Sequence, residues 1–117
     1  MPNAAIVVLA GTESASDLGR VVNGLQTAQE FDDAGDGVEI IFDGAGTQWI
    51  PELADEDHDY HSLYAELTDL MSACNYCANA YGVAEEVEDS PAELLDEYEG
   101  HPSIRSLVDD GYEIITY

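Results

Sequence analysis

Cys74 and Cys77, within Ala73-Cys74-Asn75-Tyr76-Cys77-Ala78, are the two cysteines of a chain of 117 residues. Sulfurs spaced in this way can approach each other, exchange a disulfide or share a metal. They lie in residues 70–83, which carry no Asp, Glu, Lys or Arg although 24% of the chain is charged. If Cys74 opens a helix, unpaired backbone N–H groups and the helix dipole favour its thiolate. Cys77 then lies one turn on, on the same face. That arrangement suits an attacking thiol with a resolving partner, or a thiol that carries a persulfide. The competing reading is that both cysteines are small buried hydrophobes.

The other residues with chemical potential give weaker patterns. His58-x-x-His61 precedes the cysteine pair with twelve residues between His61 and Cys74. Two His and two Cys make a tetrahedral zinc site conceivable, although the histidine gap is short and His58 lies in an acidic stretch. His101, before Pro102, reads as a surface loop residue. Asp43-Gly44-Ala45-Gly46-Thr47 is a poor phosphate cradle, because it follows the second strand, lacks a third glycine and has no lysine. Its simpler reading is a tight turn into a helix. Trp49, Tyr76 and Tyr81 read as core or interface aromatics. No Ser-His-Asp pattern supports a hydrolase, and carboxylates are too numerous for one acid–base pair to stand out. No cofactor is expected.

The elements that must position these residues alternate. Residues 4–10 are an apolar run with β-branched side chains, the pattern of a strand buried on both faces. Ser16 or Asp17 can cap a helix whose apolar positions Leu18, Val21, Val22, Leu25, Ala28 and Phe31 repeat at helical spacing. Residues 38–42 form a second strand, so the default is a right-handed βαβ unit. Thr47 can cap a short helix through Leu53, residues 60–70 read as helix, and residues 70–73 as a third strand ending at Cys74. Residues 75–82 read as a helix stopped by Gly82. Residues 83–87 form a fourth short element. Ser90, Pro91 and Glu93 have the form of a capped helix start. Residues 103–110 are a last helix and 112–116 a closing strand.

The expected fold is therefore a single α/β domain over residues 1–117, three-layered (α/β/α) and flavodoxin- or Rossmann-like, with a mostly parallel sheet of about five strands. Ligands of such sheets lie beyond the carboxyl ends of the strands. Gly11 and Thr12, Asp43, Gly44 and Gly46, and Cys74 fall on that rim. The charge-poor character of all three segments suits a ligand site or a subunit interface.

Composition narrows the class further. Two basic and 26 acidic residues give a net charge of -24. With 45% hydrophobic residues and seven Tyr, this is a folded domain with an acidic surface rather than a disordered chain. Such a surface suits a high-salt cytoplasm, where repulsion is screened. Arg20 and Arg105 are too few to neutralise phosphates, which argues against nucleic acid. Nothing resembles a signal peptide or a membrane span. A cytoplasmic location follows, where thiols are reduced and a cysteine pair points to redox, sulfur or metal chemistry.

Taken together, the first strand with its glycine, Phe42-Asp43-Gly44-Ala45-Gly46, the Cys74 segment through Tyr81-Gly82-Val83, and Gly111-Tyr112-Glu113-Ile114-Ile115 resemble the DsrE/DsrF-like family. The resemblance spans nearly the whole chain. It implies a five-stranded parallel sheet between helices and assembly as a trimer or hexamer. Some members of that family relay sulfur as a cysteine persulfide between carrier proteins, so a sulfur-carrier partner is implied. Cys74 matches the family's sulfur-carrying position, whereas Cys77 lies outside the minimal pattern. Two functions are expected: a sulfur-relay or thiol-redox protein using Cys74 with Cys77 as companion, or a non-enzymatic oligomeric module that binds a small ligand.

Overall fold

The computed structural model describes residues 2–117 and contains five strands, all parallel, in the order β4-β3-β2-β1-β5. The strands are β1 (Asn3–Val8), β2 (Gly37–Phe42), β3 (Met71–Cys74), β4 (Glu93–Leu95) and β5 (Tyr112–Thr116). The helices are α1 (Ala15–Asp33), α2 (Trp49–Ala54), α3 (His61–Glu66), α4 (Asn75–Ala80), α5 (Ala84–Glu88) and α6 (Ile104–Asp109). Two 3-10 turns, Gly44–Gln48 and Thr68–Leu70, complete the set. The expected α/β class with a five-stranded sheet is what the chain adopts.

β1 lies inside the sheet between β2 and β5 and is almost wholly buried, which explains its unbroken apolar sequence. Its alternate residues Ala4, Ile6 and Val8 join Ile40 and Phe42 of β2 in a core capped by Val21, Leu25 and Ala28 of α1, with Trp49, Ile50 and Leu53 of α2. Helix α1 starts two residues earlier than the sequence suggests, because the Ser14 hydroxyl accepts the Asp17 N–H at 3.1 Å. From β1 to β4 each connection steps one strand in the same direction. The connection through α6 then returns across the sheet to the far side of β1. Right-handed crossovers place helices on opposite faces when the direction reverses. The crossover from β4 to β5 thus covers the face opposite α1.

The short element expected over residues 83–87 is helix α5, Ala84–Glu88, which contributes the buried Val87. The next element departs from the sequence reading. Ser90-Pro91-x-Glu93 does not open a helix. The Ser90 hydroxyl donates to Val87 O at 2.6 Å and accepts the Ala92 N–H at 3.1 Å, closing a turn. Glu93–Leu95 then pairs with Ser72, Ala73 and Cys74 as edge strand β4. The capping pattern is local, but the open edge of β3 offers the backbone three residues of ladder, and pairing prevails. Similarly, the helix expected over 60–70 closes at Glu66 and continues as the 3-10 turn Thr68–Leu70.

Candidate functional site

Three segments converge at the carboxyl end of β3. The first follows β2, where Asp43 is the N-cap of the 44–48 turn and its Oδ1 accepts the Gly44 N–H at 2.8 Å. Gly44 has a positive φ of 54°, suited to glycine. A Cβ on Gly46 would overlap the carbonyl oxygen of Val8, so only glycine lets this turn press against β1. Thr47, expected as the cap, is instead buried and donates to Gly44 O at 2.9 Å.

The second segment is the β3–α4 junction. Cys74 is the last residue of β3 and the N-cap of α4, and its Sγ accepts the Cys77 N–H at 3.4 Å. Cys74 is completely buried, whereas Cys77 is half-buried; both are free thiols. Helix α4 is only six residues long, so little dipole develops at its start. Burial dominates and pushes the Cys74 thiol up from 9.0 to about 12, with the nearby Cys77 thiol and Asp43 carboxylate adding to the rise and the Cys77 N–H opposing it. The expectation of a dipole-favoured thiolate at rest is thereby corrected: Cys74 rests as a protonated thiol.

The third segment is a two-residue turn that sequence reading did not connect to the cysteines. Tyr98 and His101 exchange both backbone hydrogen bonds at 2.8 Å, around Glu99 (φ 52°) and Gly100 (φ 84°). Positive φ at both central residues is the type I′ geometry, which favours Asn or Gly in the place Glu99 holds. Gly100 O accepts the Tyr76 N–H at 2.9 Å, tying the turn to α4. The His101 ring stacks on Tyr76 with centroids 4.7 Å apart, and Nδ1 lies 3.2 Å from Cys74 Sγ. With the thiol protonated, its S–H donates to Nδ1. His101 is thus part of the site rather than a free surface loop residue.

Asp43, Cys74, Cys77 and His101 each offer a ligand atom, and these four atoms lie within 4.8 Å of one another. The zinc set suggested by His58, His61, Cys74 and Cys77 does not form. His58 Nδ1 accepts the Tyr60 N–H at 3.1 Å, and His61 Nδ1 lies 2.7 Å from Leu53 O. Both histidines belong to the 55–61 region beside α2.

Gly11 and Thr12 follow β1 on the same rim. Gly11 packs against Ala45, and Trp49 Nε1 donates to Ala10 O at 2.9 Å, so the first two uncharged segments do meet. Thr12 lines a separate groove of about 360 Å³ with Gln48, Glu52, Asp55 and His58. Between β1 and β5, where the crossover direction reverses, the N–H groups of Leu9 and Ala10 both donate to Tyr117 O, at 2.7 and 3.3 Å. A groove of about 400 Å³ lined by Leu9, Ala10, Arg20, Thr116 and Tyr117 remains there, at the place where such sheets commonly hold a ligand. Of the aromatics, Trp49 is buried in the core while Tyr76 and Tyr81 are exposed. No helix among the described residues is long and apolar enough to cross a membrane.

No family model matches the chain. It is 33% identical over 88 residues to the uncharacterized protein MJ0733 of Methanocaldococcus jannaschii, a match that spans 75% of this chain and 72% of that protein. The chain belongs to the family of MJ0733. It is also similar in fold to the solved structure of BT1422 from Bacteroides thetaiotaomicron, a conserved protein of unknown function. The TM-score is 0.58 at 16% identity, over 97% of this chain and 94% of that one.

Proposed function

We propose that this member of the MJ0733 family is a DsrE-like thiol protein that carries sulfane sulfur on Cys74, with Cys77 as the resolving thiol. The observation that supports this reading best is the 3.2 Å approach of His101 Nδ1 to Cys74 Sγ, with the Cys77 thiol beside them. A thiol paired with an imidazole can pass its proton to the ring and become a nucleophile. The Cys74 thiolate then attacks the terminal sulfur of a polysulfide or persulfide donor. A carbon- or sulfur-bound S–S bond breaks, a new one forms on Cys74, and the leaving thiolate takes the proton from His101. Transfer to an acceptor thiol is the same step reversed. Alternatively, Cys77 attacks Cys74 Sγ, giving a disulfide and releasing hydrogen sulfide, and an external thiol reduces the pair.

Because Cys74 is buried at rest, the donor reaches it when the 98–101 turn lifts. Assembly as a trimer or hexamer, and a sulfur-carrier protein that docks beside exposed Tyr76 and Tyr98, complete the proposal. The acidic surface suits a high-salt cell interior.

Mass spectrometry of the reduced, metal-free protein after exposure to polysulfide tests the reading. Cys77→Ser gains the mass of one sulfur atom, wild type gains it or, once Cys77 has resolved it, loses the two hydrogens of a disulfide, Cys74→Ser gains none, and His101→Ala gains it about 10²-fold more slowly. Absence of uptake by Cys77→Ser, or uptake by Cys74→Ser, would refute Cys74 as carrier. The latter result would assign the sulfur to Cys77.

A further inference from the structure

We propose that Asp43, Cys74, Cys77 and His101 form a tetrahedral binding site for a single thiophilic divalent cation of the zinc class. Zinc holds sulfur at about 2.3 Å and imidazole nitrogen or carboxylate oxygen at about 2.0–2.2 Å, so its ligand atoms lie roughly 3.3–3.8 Å apart. Here all four candidate atoms already lie within 4.8 Å of one another, and Cys74 Sγ and His101 Nδ1 are 3.2 Å apart. The ligands come from three separate segments that the sheet brings together, and three of the four have a partner that fixes their direction. Asp43 spends Oδ1 on the Gly44 N–H and keeps its second oxygen. Cys74 Sγ accepts the Cys77 N–H, a bond that supports a thiolate. The His101 ring rests on Tyr76, and its turn is anchored through Gly100 O. Outer contacts of this kind orient metal ligands.

Two thiolates, a carboxylate and a neutral imidazole are a donor set suited to zinc and unlike the all-oxygen shell that calcium or magnesium takes. Binding displaces the two thiol protons. The site uses neither His58 nor His61. It also stands apart from the sulfur-carrying reading, although metal and sulfane sulfur would compete for the same two thiols.

Cobalt(II) titration of the reduced, chelator-stripped full chain in concentrated KCl is the test. One equivalent per chain should produce thiolate-to-cobalt charge transfer in the near ultraviolet and the visible bands of a tetrahedral ion, both abolished by added Zn(II). The double variant His58→Ala, His61→Ala should titrate as wild type. Cys74→Ser and Cys77→Ser should lose the charge-transfer signature of a two-thiolate site. His101→Gln should weaken binding by more than about 100-fold, beyond the usual effect of losing an outer partner. If Cys74→Ser fails to fold by circular dichroism, Cys77→Ala at its half-buried position carries the test. A spectrum showing octahedral cobalt alone, as exposed carboxylates give, would overturn the site. So would tetrahedral bands that persist unchanged in both His101→Gln and Asp43→Asn. Sulfur uptake is read by mass on metal-free protein, so either proposal can fail while the other stands.

Discussion

The turn after β2 and the turn before His101 both deliver a polar side chain to Cys74, yet they are built in opposite ways. The Asp43 turn is satisfied locally. Its cap, its Thr47 hydroxyl and its close approach to Val8 are all settled within a few residues of sequence and one neighbouring strand. The Tyr98–His101 turn places a glutamate in a left-handed conformation and relies on a distant helix to hold it, through the Gly100 O to Tyr76 N–H bond. Between them lies a thiol whose burial keeps it protonated. One wall of the site is rigid scaffold. The other holds strain that packing against α4 must offset, which makes it the wall that can open.

Three measurements would break or sharpen that contrast. The largest effect concerns the thiol between the walls. With its pKa raised from 9.0 to about 12, Cys74 holds about a thousand-fold less thiolate near neutral pH than an ordinary cysteine. Iodoacetamide should therefore label Cys77 first, and the Cys74 rate should keep climbing with pH beyond 10 without a plateau. The linked stability has a definite sign. A folded pKa above the unfolded one gives stability that is complete below about 9 and lost as pH rises through about 12. A plateau near neutral pH would show that His101 holds the proton in the resting state.

A smaller effect concerns the rigid wall. Gly46→Ala forces a methyl into the Val8 carbonyl and should destabilise the fold by about 3 kcal/mol or more, read from denaturant midpoints in high salt. A loss under 1 kcal/mol would mean that the wall is not rigid. The smallest effect lies in the strained turn, where Glu99→Asn should stabilise the protein by about 1 kcal/mol by relieving the left-handed glutamate, seen as a higher thermal midpoint. If that substitution destabilised the chain, the strain assigned to this turn would be absent.

The same contrast decides what could be read from the sequence. β1, β2, α1 and β5 were legible because their periodicity, burial and turn residues agree with one another. Cys74 at a strand's carboxyl end, beside Asp43, was legible because both follow short apolar runs. The edge strand β4 was not, because Ser90, Pro91 and Glu93 satisfy a helix-start pattern and only the unpaired edge of β3 overrules it. His101 was hidden for a related reason. It lies 27 positions from Cys74, and the turn that aims it uses Glu99 where the expected signal would be Asn or Gly. Local rules read what is locally satisfied, and the strained half of the site is satisfied only in three dimensions. Conversely, His58 and His61 looked like ligands by spacing, but each holds its Nδ1 on a nearby backbone group and neither joins the cluster at Cys74.

The distance along the chain between the cysteines and His101 also sets a timetable. During synthesis both thiols leave the ribosome ahead of their base, and the intervening 24 positions (101 minus 77) take about 1–5 s to make. The strand β4 and its following turn must then pair before Cys74 is covered. For those seconds the nascent chain presents two open thiols to whatever oxidant, metal or sulfur donor surrounds it, so the first occupant of the site can arrive before the wall that later closes it exists.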